Sequence, residues 1–197
     1  MVGQIGPLVQ GGRKNSILAL HLIGGLLGGA LTGFLLGFAG MLLASAIHPV
    51  PFRLEATVLG AVLVIGGGVD AGLLGLKKVT TRRQTPGYWP CTFGDYPAAF
   101  AWGFDLGSLV TTRIPFQASL ILPIASFLSG SVVFAVGAMA SYGLARALAV
   151  SLAVMRAGEA DIGEACTILG QHAQGLSKGI GWIATVVAVG AFAFAWA

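Results

Sequence analysis

The chain has 197 residues, of which 56% are hydrophobic and only 9% charged, with a formal net charge of +4 and a mean hydropathy of +0.87. A water-soluble domain carries about 25% charged residues, so this chain lacks the polar surface to face water on all sides. Its basic residues fall between apolar runs, so the positive charge does not point to nucleic acid. The composition excludes a soluble globular domain and implies an all-α, polytopic integral membrane helix bundle.

The first apolar run, about Ile17 to Ala46, exceeds the roughly 20 residues that a bilayer requires. Arg13 and Lys14 ahead of it and Ala44-Ser45-Ala46 at its end resemble a signal peptide. A signal core spans only about 7–15 residues, so a retained transmembrane helix is expected instead. Within it Gly25, Gly29, Gly33 and Gly37 recur four apart, beside a second row of Gly24, Gly28 and Thr32. Glycine inside a water-exposed helix costs about 1 kcal/mol relative to alanine, whereas in lipid it opens a groove for a neighbouring helix. Steps of four slant around the helix and favour a right-handed crossing. Gly103 and Gly107 supply a matching row, so the expected seam joins span one to span three, and bulk at Gly29 or Gly33 is expected to break it.

Further spans are expected near Ala56–Leu76, Ala98–Leu128 (interrupted by Pro115 and Pro123), Val132–Met155 and Gly179–Ala197. Thr80–Pro97 reads as a loop from its Pro and Gly residues, and its Tyr88, Trp89, Phe93 and Tyr96 suit a headgroup-level aromatic belt. Residues 158–178 place Ile162, Cys166, Leu169, Ala173 and Leu176 at helical spacing. That pattern fits an amphipathic helix on the cytoplasmic face, or one that docks a partner. A turn at Arg113–Pro115 would give six spans. Five spans put Arg13/Lys14, Lys77/Lys78/Arg82/Arg83 and Arg156/Lys178 on one side, which the positive-inside rule makes cytoplasmic. The expectation is about five spans in the cell (inner) membrane, N-terminus in and C-terminus out. Cys91 and Cys166 then share the reducing side and read as free thiols.

Span three echoes span one, Gly107-x-x-x-Thr111 matching Gly28-x-x-x-Thr32, which suggests a parallel repeat of helical hairpins. The densest polar cluster lies here: Asp105, Thr111, Thr112, Arg113 and Gln117 around Pro115. A charge at mid-membrane costs about 2.5–3.5 kcal/mol on insertion scales and usually faces the bundle interior. Pro115 frees a backbone carbonyl one turn earlier, adding polar backbone at the same depth. Arg113, Thr111, Thr112, Gln117 and Asp105 are therefore a candidate small-anion or polar-solute site; an Arg113 that snorkels or sits in a turn is the structural alternative. Asp70 and Arg146 are a candidate ion pair between spans two and four. His21 reads as an interfacial or core-bonded histidine. No metal-ligand spacing occurs, and Gly66-Gly67-Gly68 lacks the Lys-Ser/Thr of a phosphate loop and reads as helix packing.

The stretch Ala98–Ala153, with Trp102-Gly103, Gly107, Thr111, Ile114-Pro115 and Tyr142-Gly143-Leu144-Ala145-Arg146, resembles the second half of the cytochrome c biogenesis/thiol–disulfide interchange transmembrane family. The resemblance implies a Gly/Pro-broken long helix followed by a Gly-rich one. The family carries reductant on cysteines beside such prolines; here Pro115 is followed by Phe116, and span one has neither proline nor cysteine. Mixed-disulfide exchange needs a thiol, so the resemblance implies a scaffold or a permease reusing the fold. Two functions fit the sequence: a small permease, and a non-catalytic subunit of a larger respiratory or photosynthetic membrane complex. Neither is an enzyme. The expected partners are the lipid bilayer and either other membrane subunits or further copies of the chain, and the sequence leaves any cofactor open.

Overall fold

The computed structural model describes residues 14–47, 51–77, 87–109 and 116–157, together with 175, 177–187 and 189. Among these no strand occurs, and the elements in chain order are α1 (Lys14–Ile47), α2 (Phe52–Ala71), α3 (Trp89–Phe93), α4 (Asp95–Gly107), a 3-10 turn (Gln117–Leu120), α5 (Ile121–Leu128) and α6 (Val132–Ala157). Residues 177–187 are also helical. Lys14–Ala46, Arg53–Ala71 and Val132–Met155 are long and apolar enough to cross a membrane. The chain is thus all-helical, with three membrane-competent helices among the described residues.

α1 shows why the protein suits lipid. At 1.5 Å per residue its 34 residues rise about 51 Å, well beyond a hydrocarbon core of about 30 Å. Its buried stripe runs Ile17, Leu18, His21, Gly24, Gly25, Gly28, Gly29, Thr32, Gly33, Gly37 and Gly40. Ile23, Leu27, Leu31, Phe34, Leu35 and Leu42 point outward, each at least 45% exposed. A soluble helix buries its large apolar residues; from Gly24 onward this one buries its smallest. Water would penalise that arrangement, whereas acyl chains solvate the outer face.

The contacts form two compact units. The first comprises Met1–Gly33, Thr81–Arg113 and Val136–Gln171. Here the N-terminal part of α1 meets α4 and α6 with backbone against backbone. A Cβ on Gly24 or Gly28 would collide with the carbonyl oxygen of Phe100 or Phe104, and one on Gly103 or Gly107 with that of His21 or Gly25. One on Gly25 would lie 2.6 Å from the Ala147 Cβ, and one on Gly29 would collide with the Met139 carbonyl. The expected contact of α1 with Gly103 and Gly107 is made by the backbone of His21, Gly25 and Gly29, while the second row, Gly24 and Gly28, abuts the backbone of Phe100 and Phe104. Gly25 and Gly29 of the main ladder present backbone to α4 but their Cβ positions to α6, so bulk at Gly29 strikes α6 first. Leu18, Trp102 and Val154 close this unit, with Trp89 and Val150 packed against them.

The second unit comprises Phe34–Thr80, Ile114–Ala135 and His172–Ala197. α2 packs on the 3-10 turn and α5. Its three consecutive glycines point about 100° apart around the helix, and each meets a different neighbour. A Cβ on Gly66 would lie 2.8 Å from the Gln117 backbone, one on Gly67 2.6 Å from the Thr185 hydroxyl, and one on Gly68 2.9 Å from the Leu74 side chain. They are packing residues, as their place in an apolar run implied. Gly37 abuts Ala135 and Val132, and Gly40 abuts Phe127.

Several boundaries differ from the sequence expectation. α2 starts at Phe52 after Pro51 and stops at Ala71, because Gly72 takes the left-handed conformation (φ 80°) and its N–H bonds back to Val69. The helix is therefore shorter at its C-terminus than the Leu76 expected. The Thr80–Pro97 loop is partly helical: Pro90 sits in the first turn of α3 and Pro97 in that of α4, where the missing N–H is not needed. Span three is not one helix. α4 ends at Gly107 and Leu109 adopts φ 58°, and Phe116 is extended just before the 3-10 turn opens at Gln117. Pro123 causes no interruption, since it lies in the first turn of α5. α6 starts after Gly130 (φ 56°), with the Ser131 hydroxyl accepting from the Phe134 N–H. The 158–174 part of the expected amphipathic helix and the end of span five beyond 189 lie outside the described residues.

Candidate functional site

An interrupted helix exposes the last carbonyls of one piece and the first N–H groups of the next, and in an apolar setting each requires a partner. In the first unit, the carbonyls at the end of α4 are met by side chains. Arg146 on α6 donates from its guanidinium to the Leu106 carbonyl at 2.8 Å. Thr32 on α1 donates towards both the Ser108 carbonyl (3.1 Å) and its own Gly28 carbonyl (3.0 Å). The Ser108 hydroxyl folds back onto the Asp105 carbonyl at 2.9 Å. A cation at a helix C-terminus is also favoured by the helix dipole. The Arg146 guanidinium lies 5.6 Å from the Tyr142 ring centroid, a cation–π distance, and the carboxylate of Asp105, 7% exposed, acts on it electrostatically.

In the second unit the polarity is reversed. The Asp70 carboxylate, on the last turn of α2, accepts the Ala118 N–H at 3.0 Å. That N–H belongs to the opening turn of the 3-10 segment, where an anion is favoured. Gly66 makes the approach possible, because any Cβ there would press on Gln117 and Ala118. The Ser177 hydroxyl donates to the Asp70 carbonyl at 3.5 Å, and a Cβ on Gly181 would lie 2.6 Å from both Gly67 O and Ala71 N. Asp70 and Arg146 each engage backbone beside the interruption, one in each unit.

Of the candidate solute site, Asp105 and Gln117 are buried at 7% and 3% exposure on the two flanks. Thr111, Thr112 and Arg113 lie outside the described residues. Gly28 and Thr32 sit mid-helix, whereas Gly107 ends α4, so the two quartets that suggested a repeat differ in local structure. Beside α4, a groove of about 360 Å³ is lined by Trp89, Phe100, Ala101, Phe104, Asp105 and Ser108. It is apolar along its walls, with polar groups at the Asp105–Ser108 end. His21 is fully buried, and its Nδ1 lies 3.4 Å from the Ala99 carbonyl. Cys91 is an exposed free thiol, and Cys166 lies outside the described residues. Among the described residues no group of His, Cys, Asp and Glu is placed to hold a metal ion.

Sequence reasoning missed the roles of Arg146 and Thr32. A Thr on the glycine-lined face of α1 was the available signal, since a hydroxyl there can only meet backbone. Neither family models, curated proteins nor solved structures give a match to this chain.

Proposed function

We propose that the protein is a small permease for an anion or compact polar solute, built around the interrupted segment 95–128. The observation that carries this reading is the interruption itself. An apolar stretch long enough to span leaves helical geometry after Gly107 and is extended at Phe116, and Arg146 and Asp70 engage the Leu106 carbonyl and the Ala118 N–H on either side. Discontinuous helices near the bilayer midplane are the recurring means by which transporters present helix ends and unwound backbone to a solute. Arg113, Thr111 and Thr112 fall within the break by sequence, and supply a cation and two hydroxyls suited to an anion. In this reading the interrupted segment crosses as one span, giving five in all. The basic clusters then face the cytoplasm, with the N-terminus inside and the C-terminus outside. Close glycine packing provides the rigid frame against which the break is held.

The test is flux. The purified chain is reconstituted into liposomes and challenged with a panel of small anions and polar solutes, next to Arg113→Leu at a matched amount of folded protein. Uptake above protein-free vesicles, lost in the variant, supports the proposal. Absence of flux, with recovery of the chain from mild detergent only as a discrete hetero-complex, replaces it with the accessory-subunit reading. Equal uptake by the two proteins removes Arg113 from the site.

A further inference from the structure

His21 and Ser151 are among the most buried polar residues in the first unit, at 0% and 2% exposure. Among the described residues, His21 Nε2 and Ser151 Oγ have no hydrogen-bond partner. Such atoms are rare in folded proteins, and each calls for an explanation. The packing places the two residues at one level. Gly25 abuts Gly143 and Ala147, and on the other side Leu18 clusters with Val154, Val150 and Trp102. His21 lies between Leu18 and Gly25 on the buried stripe of α1, and Ser151 between Ala147 and Val154 on that of α6. The antiparallel register of α1 and α6 therefore brackets the pair from both ends.

The chemistry fixes what fits between them. Nδ1 faces the Ala99 carbonyl at 3.4 Å, and a carbonyl only accepts, so Nδ1 carries the ring proton and Nε2 presents a lone pair. Ser151 does not back-bond to its own helix, which leaves its hydroxyl available as donor or acceptor. The two groups are not bonded to each other. We propose that His21 Nε2 and Ser151 Oγ together bind one water molecule, making the meeting point of α1, α4 and α6 a hydrated polar site within the first unit. The water donates one hydrogen to Nε2 and exchanges its second bond with the serine hydroxyl. Two polar partners are the least that holds a buried water, and ordering one molecule costs less than leaving two polar atoms dry.

The experiment uses the full chain, labelled with 15N-histidine, in lipid nanodiscs. Magnetisation transfer from water to the His21 ring is measured in the wild type and in Ser151→Ala. Transfer to the His21 Nδ1–H, with an Nε2 resonance of an accepting nitrogen, is the expected wild-type result. Ser151→Ala removes half of the water's partners, so transfer falls and the Nε2 resonance moves towards that of a nitrogen without a hydrogen bond. A wild type with no transfer overturns the proposal, as does a transfer and Nε2 resonance that Ser151→Ala leaves unchanged. The wild-type measurement stands without any variant, so misfolding of a mutant cannot mask the answer.

Discussion

Gly143→Ala is the sharpest test of how the first unit is held together. The added methyl would run into the Gly25 carbonyl oxygen and lie 3.1 Å from the Gly107 Cα, so backbone obstructs it on two sides. Neither obstacle can rotate away as a side chain would. Restoring ordinary contact requires the helices to separate by about 1 Å, and a gap of that size forfeits a quarter to a half of the dispersion well of each contact along the seam. Overpacking typically costs about 1–3 kcal/mol where side chains can yield. With backbone on both sides, a loss of about 2–4 kcal/mol is expected, even after the gain in helix propensity of about 1 kcal/mol for replacing Gly. Gly137, on the same helix, has nothing within 4 Å of its Cβ position, so Gly137→Ala should keep that propensity gain of about 1 kcal/mol and be neutral or stabilising. Thermal denaturation in detergent, followed by the loss of the monodisperse peak on size exclusion, reads both. Gly143→Ala should melt on the order of 5–15 °C below the wild type, with Gly137→Ala at or above it. Equal melting of the two variants would refute the claim that α1, α4 and α6 meet through their backbones.

Arg146→Leu should destabilise by about 3–5 kcal/mol, since it strips the Leu106 carbonyl of its donor and leaves the buried Asp105 without this cation. Arg146→Gln, which keeps a neutral donor, should recover part of the loss in the same melting assay. Asp70→Asn should be mild, because an amide oxygen can still accept the Ala118 N–H; Asp70→Leu leaves that N–H without this acceptor and should cost about 1–3 kcal/mol. Equal melting of Asn and Leu variants would show that the carboxylate does not cap the 3-10 turn. Cys91 is exposed, so in a Cys166→Ser background a membrane-impermeant maleimide should label it in inverted vesicles and not in right-side-out ones. The opposite pattern would reverse the topology.

The glycine rows were legible in the sequence because glycine is poor in exposed helices, so a row of it needs a packing reason. Which neighbour each row meets was not legible. Gly25 and Gly24 are adjacent in sequence, yet their Cβ positions point at α6 and α4 respectively, and that division depends on where the partner helices sit. The long helices α1 and α6 were readable from hydropathy almost to their ends. The break after Gly107 was only half readable: Pro115 marks it, but Leu109 at positive φ is a conformation that leucine rarely adopts and no composition signals. Pro90 and Pro97 misled because proline ends helices and also begins them. Asp70 and Arg146 were marked by charge in apolar runs, but a sequence does not reveal that each would engage backbone beside the interruption.

The backbone contacts at Gly24, Gly25, Gly28, Gly29, Gly107 and Gly143 bear on how this chain can vary by mutation. Every amino-acid change at a glycine codon adds at least a Cβ, so these positions have no conservative substitution available to them. On the outward face of α1, by contrast, Leu27, Leu31 and Leu35 can exchange with other apolar residues through single nucleotide changes. Random mutagenesis of α1 from Gly24 onward should therefore give a map in which tolerance rises with side-chain size. The silent sites would be the large residues, and the lethal ones those that seem to contribute no side chain at all.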